Sequence, residues 1–125
     1  MPSRETLEAF IARVEQGKFD AAIEEFYAED ASMQKKPGAV RRGRDHLVAH
    51  ERSVMTRFKE IRAQCVRPVF CEGDRVIVRW LFEFAGDNGA VIRLDELAYQ
   101  RWQGEKMVEE RFYYDPAPMK SGTSH

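Results

Sequence analysis

The sequence predicts an α+β domain in which three N-terminal helices pack on a curved, mostly antiparallel sheet. Three observations lead there. Apolar residues recur at helical spacing through the first third of the chain and again near residue 50. From Ile61 to Asp115 four segments alternate apolar and polar residues. Turn signals separate those segments: Glu72-Gly73-Asp74, Gly86-Asp87-Asn88-Gly89 and Gln103-Gly104-Glu105. Helices first and a run of strands afterwards is the α+β order.

The first helix is predicted over Thr6–Gln16, with Leu7, Phe10, Ile11 and Val14 on one face, Ser3 as N-cap and Gly17 just past its end. A second helix follows Gly17-Lys18 and aligns Phe19, Ala22, Ile23, Phe26 and Tyr27. A short strand is expected over Asp30–Gln34, and Pro37, Gly38 and Gly43 mark Lys35–Arg44 as a loop. The third helix runs from Asp45 to Phe58 with Leu47, Val48, Val54, Met55 and Phe58 as its apolar set. Strands are predicted over Ile61–Cys71, Arg75–Phe84, Val91–Trp102 and Met107–Asp115. The residues from Pro116 to His125 read as a frayed tail of a single domain spanning 1–125.

At 125 residues the chain is long enough to bury one core without staples. Hydrophobic residues make up 43% and charged residues 33%, with a net charge of −1, which argues against a nucleic-acid footprint. Lys35-Lys36 and Arg41-Arg42-Gly43-Arg44 form a local basic cluster, read as a solvated loop and helix entry. There is no apolar run of membrane-spanning length and no signal-peptide core after Met1, so a cytoplasmic protein with no membrane partner is expected. Cys65 and Cys71 fall on one strand, about 20 Å apart if extended, too far for a disulfide. Both are expected to be free, buried filler.

Strand alternation assigns the faces. Val76, Val78, Trp80, Phe82 and Phe84 form a uniformly apolar face, expected to be concave. On the next strand Leu94, Glu96, Ala98, Gln100 and Trp102 oppose Asp95, Leu97, Tyr99 and Arg101. Trp102 favours the Glu96 side as inward, and Phe112 similarly favours Glu110, Phe112 and Tyr114. The predicted pocket is walled by Trp80, Phe82, Phe84 and Phe112, with Glu96, Gln100, Glu110 and Tyr114 as polar groups and Tyr27 and Met33 giving it shape. A carboxylate there would lose solvation, and its pKa would rise toward the range useful for proton transfer. The competing reading pairs Glu96 and Glu110 with Arg93, Arg101 or Arg111 as struts of the sheet. His46 and His50 stand four apart, but the order His-x-x-x-His-Glu lacks a third ligand, so no metal site is expected. His50 sits beside the buried stripe, either as an acid–base group reaching the cavity or as a boundary histidine bonded to a neighbour.

Phe26-Tyr27-Ala28-Glu29-Asp30-Ala31, Gly43-Arg44-Asp45-His46-Leu47, Phe82-Glu83-Phe84 and the closing hairpin from Arg101 to Met107 with its ending Phe112-Tyr113-Tyr114-Asp115 carry a resemblance. Over essentially its whole length the chain resembles the SnoaL-like branch of the NTF2-like (cystatin-like) superfamily. The resemblance implies a cone with a ligand cavity, homodimerisation through the outer sheet face, and no organic cofactor. Superfamily activities include steroid isomerisation, polyketide cyclisation, epoxide hydrolysis and dehydration, beside non-catalytic binding. Matched to the steroid isomerases, the tyrosine and base positions hold Phe10 and Lys35, and the acid falls near Ala98, one pleat from Glu96. Matched to the limonene-type epoxide hydrolases, the carboxylate in the Arg-Asp-Tyr-Phe-Asp ending is replaced by Phe112, and Arg93-x-Asp95 lies on a different strand. The cyclase acid–base aspartate has no clear counterpart. The expected function is therefore binding of a small, largely apolar molecule, with acid–base chemistry carried by Glu96 and by His50 or Tyr114. The alternative is a non-catalytic ligand-binding or dimerisation module.

Overall fold

A computed structural model describes residues 1–36 and 38–115 of the chain. Pro37 of the predicted loop and the predicted tail from Pro116 onward lie outside the described residues. The element order is α1 (Arg4–Glu15), α2 (Phe19–Phe26), β1 (Tyr27–Lys35), β2 (Val40–Arg42), α3 (Arg44–Arg57), β3 (Glu60–Glu72), β4 (Arg75–Ala85), β5 (Val91–Gln103) and β6 (Lys106–Tyr114).

The helix ends follow the local chemistry of the sequence. Ser3 caps α1 by accepting the Thr6 N–H at 3.0 Å, so the helix starts two residues earlier than predicted. At its end Gly17 adopts φ 78°, and its N–H and that of Lys18 return to the carbonyls of Val14 and Arg13. That reversal turns α2 back against α1. Leu7, Phe10, Ile11 and Val14 meet Phe19, Ala22, Ile23 and Phe26 in one core. Ion pairs Arg13–Glu25 at 2.7 Å and Arg52–Glu24 at 2.6 Å tie α1 and α3 to α2 at the surface. Such exposed pairs each contribute no more than about 1 kcal/mol, so the apolar contact holds the layer.

Tyr27 is a correction to the helical reading. It is the C-cap of α2, with extended φ −91° and ψ 144°, and it opens β1. A tyrosine spaced correctly for a helix face is placed on a strand because the chain must leave the helix layer there and enter the sheet. A second correction is β2, inside the predicted loop. All three of its residues are exposed and it pairs only with β1, so no burial alternation marks it in the sequence.

The six strands form one sheet in the order β2-β1-β6-β5-β4-β3, antiparallel throughout except for the parallel β1–β6 pair. Register shifts interrupt the ladders between Tyr27 and Ser32, Val66 and Phe70, and Arg101 and Trp102. Shifts of this kind bend and twist a sheet. The bent face closes over the helices: Val76, Val78, Trp80, Leu94, Glu96, Ala98, Gln100 and Trp102 are all buried, whereas their sequence neighbours on β4 and β5 alternate outward. The predicted inward faces of β4, β5 and β6 are those observed. Cys65 is buried as expected; Cys71, near the end of β3, is exposed, and both thiols are free.

Candidate functional site

A cavity of about 80 Å³ lies between the helices and the concave sheet. Its walls include Phe10 of α1, Phe19 of α2, Trp80, Phe82 and Phe84 of β4, and Phe112 of β6. The rings pack against one another, Trp80 to Phe82 at 6.0 Å and Phe82 to Phe84 at 5.8 Å between centroids. Five polar side chains enter this aromatic lining: Tyr27, Lys35, Glu51, Glu96 and Glu110.

Glu110 is held by a chain of hydrogen bonds that crosses β5 and β6. The Trp102 indole N–H donates to Gln100 Oε1 at 3.0 Å, and Gln100 Nε2 donates to Glu110 Oε2 at 2.8 Å. The Tyr27 hydroxyl donates to Glu110 Oε1. Gln100 stands directly opposite Glu110 in the β5–β6 ladder, and Met33 of β1 stands opposite it on the other side. Register therefore brings Gln100 and Glu110 together, and the Tyr27 and Trp102 side chains reach them from neighbouring ladder positions. Burial pushes the Glu110 carboxyl up to about 7, against the lowering effect of the Tyr27 and Gln100 hydrogen bonds. Burial, and then the Glu110 charge, holds the Tyr27 phenol well above its ordinary value, so it remains a donor.

Glu96 differs in kind. Only 4% of its surface is exposed, and among the described residues its Oε2 has no hydrogen-bond partner. Burial pushes its carboxyl to about 7; Lys35 lowers it, and Glu110 and Glu51 raise it. No arginine ties it down: Arg93 pairs with Glu83 at 3.1 Å and Arg111 with Glu109 at 3.0 Å, and Arg101 reaches Glu109 at 3.5 Å, all away from the cavity. The strut reading of Glu96 and Glu110 thus finds no arginine partner for either. Both oxygens of Glu110 accept hydrogen bonds, which favour its charged form, and Oε2 of Glu96 lacks that support. Two carboxyls with unlike surroundings are a recognised way to separate proton donor from anion.

The other predicted site residues divide. Tyr27, Met33, Trp80, Phe82, Phe84, Glu96, Glu110 and Phe112 all border the cavity. Gln100 is fully buried behind it in the hydrogen-bond chain. Tyr114 is half-buried opposite Glu96 in the ladder and packs on the core without bordering the cavity. His50 borders a separate cleft with Met33, Lys35, Gly38, Ala39 and Arg41. Among the described residues, no group of three or more His, Cys, Asp or Glu side chains is arranged to hold a metal.

Two polar lining residues, Glu51 and Lys35, lie outside the pocket that the sequence predicts. Glu51 follows Leu47 by four and Val48 by three, which puts it in the middle of the buried stripe of α3 rather than beside it. Burial raises its carboxyl while Lys35 lowers it. Lys35 shares a strand face with Ala31 and Met33, and pairs in register with Phe112. Phe10, Lys35 and Phe112 are the positions that the resemblance matches to catalytic groups of relatives, and all three do border the cavity.

The SnoaL-like domain model matches residues 7–110. The chain belongs to the SnoaL-like family. No curated protein matches its sequence. Among solved structures, an NTF2-like protein of unknown function from Burkholderia pseudomallei is 18% identical, with a TM-score of 0.82 over 97% of this chain and 96% of that one. A protein of ketosteroid isomerase-like fold from Catenulispora acidiphila, in complex with trimethylamine, gives 0.81 at 14% identity, over 98% and 94%. An LEH-like epoxide hydrolase from M. tuberculosis gives 0.76 at 15% identity, over 94% and 86%. At these identities the likeness is one of fold: this SnoaL-like chain has the NTF2-like cone. No helix among the described residues is long and apolar enough to cross a membrane.

Proposed function

We propose that this SnoaL-like protein binds a small, largely apolar molecule in its cone and carries out acid–base chemistry on it, with Glu96 giving and taking the proton. The observation that carries this reading is the unpartnered, enclosed Oε2 of Glu96 at the wall of an aromatic cavity. A buried polar atom without a partner is costly, so its retention calls for a use. A carboxyl that titrates near neutrality loses and regains a proton with little driving force in either direction. Glu110, with Tyr27 and Gln100, supplies the fixed charge beside it. Isomerisation, cyclisation, dehydration and epoxide opening all need such a group, and none needs an organic cofactor. Tyr114 and His50, the other candidates for orienting the substrate, stand opposite Glu96 in the ladder and at the neighbouring cleft respectively.

The rival reading, a non-catalytic binding module, is favoured by the small size of the cavity, about 80 Å³. Metabolites retained by the protein purified from cells separate the two. Wild-type protein is expected to retain a small, largely apolar molecule and convert it, and Glu96→Gln to retain it unchanged. Retention without conversion by both proteins establishes the module; retention of nothing removes both readings.

We also infer a homodimer formed through the outer sheet face. Leu81, Leu97, Tyr99 and Tyr113 are exposed there beside the Arg79–Asp95 and Arg93–Glu83 pairs, and apolar groups ringed by charge suit a partner surface. Sedimentation equilibrium is expected to give the dimer mass; a monomer at every concentration would contradict it. The free thiols Cys65 and Cys71 support a reducing compartment such as the cytoplasm.

A further inference from the structure

The polar groups around the cone are ordered by charge. Glu96 and Glu110 lie deep in the cavity, Glu51 is half-buried, and Lys35 is exposed at the rim with its Nζ 5.9 Å from the centre of the Phe112 ring. Lys35 and Met33 also border a second cleft, of about 90 Å³, completed by Gly38, Ala39, Arg41 and His50. The two spaces are therefore neighbours across the Lys35 side chain. Arg41 comes from β2, paired in register with Met33, and His50 comes from α3. Gln34 Nε2 donates to the Gly38 carbonyl at 2.9 Å.

The residues lining this cleft include two cations, Lys35 and Arg41, and no carboxylate, although Lys35 also acts on the Glu51, Glu96 and Glu110 carboxyls of the cavity. Among the described residues Lys35 and Arg41 enter no ion pair, while Arg79, Arg93, Arg101 and Arg111 of the sheet all do. Every charged group that acts on His50 is basic: Arg41, Lys35, Arg57 and His46. Together with burial they push its imidazole below its ordinary value. An ammonium group at this rim would meet repulsion from Lys35 and Arg41.

We propose that the molecule held in the cone bears an anionic group, which sits between Lys35, Arg41 and His50 while its apolar body occupies the aromatic cavity. This proposal rests on the cone being a binding site and names the class of its ligand: a small amphipathic acid. Binding of the acid also acts on Glu96. An anion at Lys35 offsets the charge that lowers the Glu96 carboxyl, so the occupied site holds that proton more firmly and presents Glu96 as a donor.

Three straight-chain probes of equal length test it by NMR titration: pentanoate, 1-pentanol and pentylammonium. Pentanoate is expected to bind about tenfold more tightly than pentanol, the worth of one charge-assisted hydrogen bond, and to shift the amide signals of Lys35, Arg41 and His50. In Lys35→Met and Arg41→Met the advantage of pentanoate over pentanol, measured in the same variant, should shrink toward nothing. Equal affinity of pentanoate and pentanol overturns the anionic subsite and leaves the cone reading intact. Preference for pentylammonium overturns it in favour of a cationic ligand. Binding of none of the three, with longer chains also tried, overturns both readings.

Discussion

Replacing Trp102 by alanine is expected to destabilise the protein by about 4 kcal/mol, the usual cost of emptying a large aromatic site in a core. The indole is 1% exposed and meets Phe10 edge-on at 5.9 Å between centroids. It therefore joins β5 to α1 at the base of the cone. Its N–H also anchors Gln100, which in turn holds Glu110. Alanine leaves a cavity and an orphaned amide oxygen at once. Trp102→Phe keeps most of the packing and removes only the donor, so it should cost about 1–3 kcal/mol. Denaturant unfolding measures both. A loss below about 1 kcal/mol for Trp102→Ala would show that the base of the cone collapses and heals, contrary to the behaviour of a rigid core.

The second large effect is on pH. In the unfolded chain the Glu96 carboxyl titrates near its ordinary 4.5, and in the fold near about 7. Between those values the folded state binds more protons than the unfolded one. Stability must therefore fall as pH rises through that window and level off above it. A shift of this size in a deeply buried group corresponds to about 3 kcal/mol, and Glu110 titrates over the same range. Glu96→Gln carries no ionisable group, although its amide inherits the unpartnered position. It is expected to be about 1–3 kcal/mol more stable than wild type at about pH 8 and nearly equal at about pH 4.5. The acids that are lowered in the fold, Glu8, Asp20 and Asp95 among them, act oppositely, and their contribution is lost only as pH falls below about 4. In the neutral window the buried carboxyls are opposed, among the described residues, only by His50, whose lowered imidazole makes stability rise as pH approaches 6.5.

How much of this is legible in the sequence depends on whether a residue's burial is set by its own element. The β4 face alternates from Val76 to Leu81 because one side meets the helices and the other turns outward. The β5 face is ambiguous, since apolar and polar groups occur on both sides, and the bulk of Trp102 decides it correctly. Pairing is a different matter. Glu110, Gln100 and Tyr27 meet through ladders between distant strands, one of them parallel, and no local pattern announces that partnership. Tyr27 is spaced for a helix and serves as the first residue of a strand. Cys71 reads as buried because it lies on an apolar strand, but the end of β3 from Phe70 to Glu72 is exposed on the side of the thiol as well. On α3 the histidine His50 draws the eye, although Glu51 is the residue three and four positions from the buried Val48 and Leu47. A carboxylate on an apolar stripe is the available signal for the site.

The state of the Glu96 carboxyl is the point on which the cone's chemistry turns. Titration of its side-chain carbon by NMR in the ligand-free protein reads it directly. The structure predicts a midpoint near about 7 that persists in Trp102→Phe. A midpoint close to the ordinary 4.5 would mean that water reaches the carboxylate, and the proposed role of Glu96 in moving protons would fall with it.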